Sequence, residues 1–238
     1  MSLWNIEGYV RLRHGGDDRA LELFTERHVA PGTRVLELGC GPGRAAAALA
    51  ERCDARVTAV DVSPEMLAAA REIVPPSVEL VQARAEELPL SDASFDSALS
   101  NFAVHLFDRP HAFSEARRVL REDAVYWVKT ADPERIGDHW AARLFPSFVG
   151  IELARFPGEE ELQDTLLGAG FASVVSERLE VVEELSRDDV IERVRRGAYS
   201  TITLLGQDEV EAGIAGAPKS LPERIRHVST LLIATASA

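Results

Sequence analysis

The sequence predicts an α/β protein built on a doubly wound, mostly parallel seven-stranded sheet, with a helical cap inserted before the last strand. Three observations predict it. Strand-like and helix-like segments alternate through the first half, the pattern of a parallel sheet covered on both faces. A buried strand, Thr33 to Leu38, runs into glycines at positions 39, 41 and 43 and then into an Ala-rich helix. Towards the C-terminus about 45 residues, 183–226, separate two strand-like segments, too many for a simple connection.

Each element has its own signal. Residues 17–29 form an amphipathic helix behind a polar arm, and Pro42 to Arg52 is the helix after the glycines. Arg56 to Val60 is a second strand. Ser63 then offers an N-cap oxygen, Pro64 suits the first helical position, and Glu65 to Ile73 continues the helix. Val78 to Gln82 and Phe95 to Ser100 are the third and fourth strands. Asp108 caps a helix to about Leu120 with Phe113, Ala116, Val119 and Leu120 on one face, and Ala124 to Lys129 is the fifth strand. Helices are expected over Glu134 to Phe145 and Glu159 to Ala169, the latter stopped at Gly168-Ala169-Gly170. Phe171 to Val182 and His227 to Thr235 close the sheet. The organisation is therefore an N-terminal arm and helix (1–29), an α/β core (30–182), a cap (183–226) and a final core strand (227–238).

Of the 238 residues 46% are hydrophobic and 27% charged, which suits a globular chain with one large core and a modest appendage. The net charge of −13 argues against a broad nucleic-acid groove and against docking on anionic membranes. Two local clusters, Arg117, Arg118 and Arg121, and Arg193, Arg195 and Arg196, read as solvated helix faces. The two cysteines, Cys40 and Cys53, do not make a disulfide scaffold, and no signal peptide or spanning segment is visible. A cytoplasmic protein with a small-molecule partner is expected; the sequence is silent on oligomeric state.

The chemistry starts at Glu37-Leu38-Gly39-Cys40-Gly41-Pro42-Gly43. Glycines serve where the backbone turns tightly or where a ligand approaches the main chain. Gly41 to Ala46 also matches G-x-G-x-x-A, so a dinucleotide site and a nicotinamide oxidoreductase stay open. Glu37 at the strand end and Pro42, which removes a donor from the turn, suit a positively charged ligand better than a pyrophosphate.

The run from Glu37 to Gly43 resembles the first motif of class I S-adenosylmethionine-dependent methyltransferases, and more narrowly the type 11 group with the ubiquinone and menaquinone C-methyltransferases. The resemblance continues through Ala59-Val60-Asp61-Val62-Ser63-Pro64-Glu65-Met66-Leu67, Ala85-Glu86-Glu87-Leu88-Pro89-Leu90, Ser94-Phe95-Asp96 and Glu115 to Leu120, and covers roughly residues 30–130. It implies a Rossmann-like methyltransferase fold, S-adenosyl-L-methionine as cofactor, S-adenosyl-L-homocysteine as product and methyl transfer to a small molecule. It also implies that Glu37, Gly39, Cys40, Gly41 and Gly43 form the cofactor turn, with Gly39 and Gly41 along the methionine moiety. Asp61 would accept from the ribose hydroxyls, and Val62 and Met66 would pack on adenine. Ala85 would offer its N–H to the ring with Glu86 beside it, and Asn101 would lie near the ammonium and the methyl. Arg84 departs from the group, which commonly has an acidic residue there. His105, four residues past Asn101, is the candidate general base for an acceptor that must lose a proton. A non-catalytic S-adenosylmethionine-binding subunit would carry the same motif. The acceptor pocket is expected from the cap around Arg196, Tyr199 and Thr201, or from Trp4, Tyr9, Arg11 and Arg13 of the arm.

Overall fold

Seven strands form one sheet in the order β3-β2-β1-β4-β5-β7-β6. The structure is a computed structural model that describes residues 18–197 and 199–238; Trp4, Tyr9, Arg11 and Arg13 lie outside the described residues. The strands are β1 (Arg34–Leu38), β2 (Arg56–Asp61), β3 (Glu79–Gln82), β4 (Phe95–Asn101), β5 (Leu120–Ala131), β6 (Ser173–Ser186) and β7 (Arg224–Ser237). β1 pairs in parallel with β2 and β4, β2 with β3, and β4 with β5. β7 runs the other way: Ala238 N–H bonds Ala124 C=O at one end of β5, and Asp132 N–H bonds Thr230 C=O at the other. The strand order reverses beside β1, where open α/β sheets bind ligands beyond their carboxyl ends.

The helices are α1 (Asp18–His28), α2 (Arg44–Cys53), α3 (Pro64–Arg71), α4 (Arg109–Val119), α5 (Phe148–Arg155), α6 (Glu159–Gly168), α7 (Arg187–Arg195) and α8 (Gln207–Ser220). The chain divides into two compact units. One comprises 18–130, 157–179 and 232–238; the other takes 131–156 and 180–231. The segment expected as a cap therefore shares its unit with 131–156.

In the first unit, β1 and β4 are buried on both faces, as a covered parallel sheet requires. Tyr126 of β5 lies between Phe113 of α4 and Phe171, with centroids 5.7 and 5.9 Å away. On β5 the indole of Trp127 meets Phe24 of α1 at 5.5 Å. The second unit buries Trp140, Phe145, Phe148, Val190, Ile202 and Leu221. There α8 approaches so closely that a Cβ on Gly213 would stand 2.3 Å from the Phe145 ring.

Four expectations need correction. Residues 134–145 are two 3₁₀ turns, Pro133–Asp138 and Trp140–Arg143, not one α-helix, and α5 after them was not anticipated. His139 breaks the helix, because its extended backbone lets its side chain cap the second turn by accepting from Ala141 N–H. Asp108 stands at the N-cap of α4 without capping it; its carboxylate pairs with His111 Nδ1 at 3.0 Å, and Pro110 leaves one donor fewer to satisfy. Arg118 is not part of a solvated face, since it is partly buried and donates to Leu88 and Leu90 C=O, whereas Arg121 is exposed and pairs with Asp96. Arg193 is likewise anchored, bonding both oxygens of Glu183 at 3.2 Å.

Candidate active site

The glycine turn is shaped by sterics at two positions and by openness at a third. Gly39, Gly41 and Gly43 all have positive φ, at 72°, 52° and 77°. A Cβ on Gly39 would stand 2.4 Å from Ala103 Cβ, and one on Gly43 would stand 2.7 Å from Val74 Cγ1. At Gly41 an added Cβ would meet nothing within 4 Å, so this main chain borders open space. The N–H groups of Gly39 and Cys40 both donate to Val60 C=O at 2.9 Å, which ties the turn to the end of β2.

Asp61, the last residue of β2, is held by main chain on both oxygens. Gly41 N–H donates to Oδ2 at 2.8 Å and Ser63 N–H to Oδ1 at 2.9 Å. Ser63, not Asp61, caps α3: its Oγ accepts from Met66 N–H at 3.1 Å. Each Asp61 oxygen keeps a further lone pair for a ligand hydroxyl. Beside it Val62 is 57% exposed, an uncovered apolar side chain where a flat ring could rest. Met66 is buried on the inner side of α3 with Leu67 and Ala70.

Glu37 is 2% exposed, and its Oε2 has no hydrogen-bond partner among the described residues. Burial pushes its carboxyl up to about 8; Ala46 N–H opposes that shift and the Asp61 charge adds to it. Cys40 is buried, and desolvation together with Glu37 and Asp61 pushes its thiol up, away from the reactive thiolate.

The loop after β3 carries Ala85, which is buried, and Glu86. Glu86 is already engaged, accepting from Asp108 N–H at 2.8 Å and pairing with Arg84 at 3.2 Å. Arg118 fixes this loop by donating to Leu88 C=O at 3.1 Å, Leu90 C=O at 2.8 Å and Asp92 at 2.6 Å. Glu115 receives Leu88 N–H at 2.8 Å, so the Glu-Ala-Arg-Arg run on α4 acts as a clamp.

Asn101 ends β4, and its side-chain oxygen is buried with no partner among the described residues. Phe102 follows with φ 54°, a left-handed conformation rare for a bulky residue. His105 lies on the 3₁₀ turn Val104–Leu106, half-buried, with both ring nitrogens shielded from solvent. Lys129 of β5, which the sequence reasoning missed inside an apolar strand run, is the cross-strand neighbour of Asn101.

The second unit has its own polar centre. His139 and His227 stand edge to face with centroids 4.6 Å apart, and His139 also meets Phe148 at 5.2 Å and Tyr199 at 5.4 Å. Burial, then His227 and Arg193, holds His139 well below the usual imidazole range. Burial also lowers His227, whose Nε2 lies 2.9 Å from Ser229 Oγ. Thr201 bridges Glu152 and Arg155, donating to the first and accepting from the second at 2.7 Å. Among the described residues no group of His, Cys, Asp and Glu could hold a metal ion, and no helix is long and apolar enough to cross a membrane.

A glycine turn open at Gly41, a main-chain-anchored Asp61 and a buried, half-satisfied Glu37 define a class: a doubly wound domain for a nucleoside ligand that carries positive charge. A model of a methyltransferase domain matches residues 36–128. The chain is 34% identical over 190 residues to a malonyl-[acyl-carrier protein] O-methyltransferase of Laribacter hongkongensis, covering 73% of this chain and 61% of that one. It is 32% identical over 179 residues to the protein of the same description from Geobacter sulfurreducens, covering 71% and 67%. The chain thus spans about three fifths of the Laribacter protein. A solved structure from an antibiotic biosynthesis pathway of Anabaena variabilis shares the fold, with a TM-score of 0.78 at 23% identity over 91% of this chain and 96% of that one. The chain belongs to the class I S-adenosylmethionine-dependent methyltransferases, and its cofactor is S-adenosylmethionine. The residues fit that group: the main-chain-anchored Asp61 carboxylate has lone pairs left for ribose hydroxyls, and Glu37 keeps a buried oxygen without a partner among the described residues beside the glycine turn.

Proposed function

We propose that this protein transfers a methyl group from S-adenosylmethionine to an oxygen of a small-molecule acceptor. The observation that carries the proposal is the pairing of the open Gly41 main chain with Asp61, whose carboxylate is pre-oriented by two backbone N–H groups. Oxygen is favoured as the acceptor atom by the names of the Laribacter and Geobacter relatives. The two cysteines, both free, suit a reducing compartment such as the cytoplasm.

Bound S-adenosylmethionine supplies an electrophilic methyl group on a good leaving group, so the protein's work is alignment and exclusion of water. Asp61 accepts from the ribose hydroxyls; Val62 and Met66 line the adenine side, with Ala85 N–H and Glu86 beside it. Gly39, Cys40, Gly41 and Gly43 form the turn along the methionine moiety, with Glu37 beneath it. Asn101 offers its buried amide oxygen to the ammonium group. His105 takes the proton from an acceptor that arrives neutral.

S-adenosylhomocysteine should raise the melting temperature while NAD does not, by ligand linkage. Asp61→Ala should weaken S-adenosylhomocysteine binding about ten- to a hundredfold, the loss expected for charged hydrogen bonds of about 1.5–3 kcal/mol. A stabilisation by NAD alone, or unchanged affinity of the variant in calorimetry, would remove the basis of the proposal.

A further inference from the structure

Glu86 lies on the loop after β3 with its side chain 15% exposed, and both of its oxygens meet protein partners. Oε1 accepts from Asp108 N–H at 2.8 Å, and Oε2 pairs with Arg84 at 3.2 Å. Asp108 is the N-cap of α4, whose own carboxylate does not cap the helix. Glu86 therefore brings a negative charge to the positive end of α4, through a hydrogen bond stronger than one between neutral groups. The same loop is fastened further along α4, where Arg118 donates to Leu88 C=O and Glu115 accepts from Leu88 N–H.

The entry to α4 that Glu86 holds is the segment that carries His105. At its start Phe102 N–H donates to Lys129 C=O at 2.9 Å, and at its end Asp108 N–H donates to Glu86. Between these anchors Leu106 N–H donates to Ala103 C=O at 2.9 Å and Phe107 N–H to Val104 C=O at 3.4 Å, the second a long bond. A single 3₁₀ turn has poor hydrogen-bond geometry, so its position is set by its anchors. The segment also lies against the glycine turn: a Cβ on Gly39 would stand 2.4 Å from Ala103 Cβ and 3.2 Å from the Phe107 ring.

We propose that Glu86 is a positioning residue: through Asp108 N–H it holds the His105 turn in place, and Arg84 keeps its carboxylate in that orientation. The proposal rests on the methyl-transfer reading above and deepens it by giving the loop beside the adenine a part in placing the base. Alignment is the protein's contribution to methyl transfer, and a misplacement of about 1 Å can cost about a hundredfold in rate.

The main-chain donor can be removed on its own. Asp108 has φ −73°, which proline adopts, and Phe107 before it is extended, as a residue preceding proline must be. Asp108→Pro thus deletes the N–H, whereas Asp108→Ala deletes only the side chain. Two readouts are followed: amide exchange, and the His105 Cε1–H NMR signal, assigned by its loss in His105→Gln. In Glu86→Ala and in Asp108→Pro the amides of Leu106 and Phe107 should exchange about ten- to a hundredfold faster, and the His105 signal should move. The double variant should exceed neither single one by more than about threefold, because both remove the same bond. Glu86→Gln, whose amide oxygen still accepts, should restore most of the loss. Asp108→Ala should stay within about twofold of the wild type, and Arg84→Ala, which breaks a pair whose arginine is 65% exposed, within about threefold. Arg34→Met, which breaks the Arg34–Asp96 pair at the other end of β1 and β4, should leave both readouts unchanged.

Unchanged exchange at Leu106 and Phe107 overturns the proposal, as does an unmoved His105 signal in Glu86→Ala. So does an effect of Asp108→Ala or Arg34→Met equal to that of Glu86→Ala. Glu86→Ala with its rescue by Gln stands as the test if Asp108→Pro fails to fold. Wild-type calorimetry with S-adenosylhomocysteine tests the methyl-transfer reading separately, since the exchange comparison needs no cofactor.

Discussion

At the glycine turn of the first unit main chain holds the charged side chains, whereas around Thr201 and Arg193 in the second unit side chains hold one another. Asp61 is fixed by the N–H groups of Gly41 and Ser63, and Glu37 meets the N–H of Ala46. In the second unit Glu152 is bound by Thr201, Thr201 by Arg155, and Arg193 by Glu183 and by the Tyr199 hydroxyl. The first device is local and stiff, since a turn with three residues at positive φ has few ways to move. The second depends on segments far apart in sequence packing correctly.

The largest effect should come from breaking the stiff device. Gly39→Ala combines a left-handed φ of 72° with a Cβ 2.4 Å from Ala103 Cβ. Backbone strain of about 1–3 kcal/mol and overpacking of about 1–3 kcal/mol should add. Chemical denaturation should register a loss of several kcal/mol, with S-adenosylhomocysteine binding lost as well. A variant within about 1 kcal/mol of the wild type would mean that the turn yields easily, and the contrast between the units would fail.

The two units should also respond to pH in opposite directions. Burial raises the Glu37 carboxyl to about 8 from an ordinary 4.5. The folded state therefore binds this proton more tightly than the unfolded state does. The corresponding stability is present at and below pH 4.5 and is lost as pH rises through the interval to 8. For His139 and His227 burial lowers the pKa below 6.5, so their stability is present above 6.5 and is lost as pH falls through the folded values. Hydrogen exchange resolved by segment should show β1 opening more readily at pH 9 than at pH 6, and the His139 segment more readily at pH 5 than at pH 7. Glu37→Gln should flatten the first trend and leave the second. Parallel responses in both segments would show that the units open as one.

The same difference decides how much could be read from the sequence. Gly39, Gly41, Gly43, Asp61 and the Ser63-Pro64 cap are legible because their geometry is set within a few residues, by φ and by capping chemistry. Lys129 was not, since a lysine in a strand normally reaches solvent and only the neighbouring Phe102 reveals otherwise. Arg118 is not legible either, because its acceptors lie on the loop from Leu88 to Asp92, far from it in sequence. Helix α5 carries a weak sequence signal, because Gly150 interrupts its pattern and Leu153 stays 54% exposed. The 3₁₀ turns around His139 depend on a side-chain cap that a helical propensity sum does not contain.

The smallest effect is a matched pair of aromatic substitutions, one in each unit. Tyr126 hydroxyl lies 2.7 Å from Ser100 Oγ, and Ser100 in turn donates to Leu38 C=O at 3.1 Å. With the Ser100 proton committed to Leu38, Tyr126 is the donor, and Tyr126→Phe should cost about 1 kcal/mol, the net worth of one hydrogen bond. Trp140 is equally buried, but its Nε1–H has no partner among the described residues. Trp140→Phe opens a small cavity, costing on the order of 1 kcal/mol, and also removes a buried unsatisfied donor whose desolvation costs about 1–3 kcal/mol. The two terms oppose, so Trp140→Phe should lie between wild-type stability and about 2 kcal/mol above it, and should not exceed Tyr126→Phe in cost. Denaturant unfolding of both variants at pH 7.5, where His139 is neutral, measures the difference. A loss at Trp140 more than about 1 kcal/mol larger than that at Tyr126 would mean that the indole N–H is satisfied in solution. The second unit would then be as tightly specified as the first.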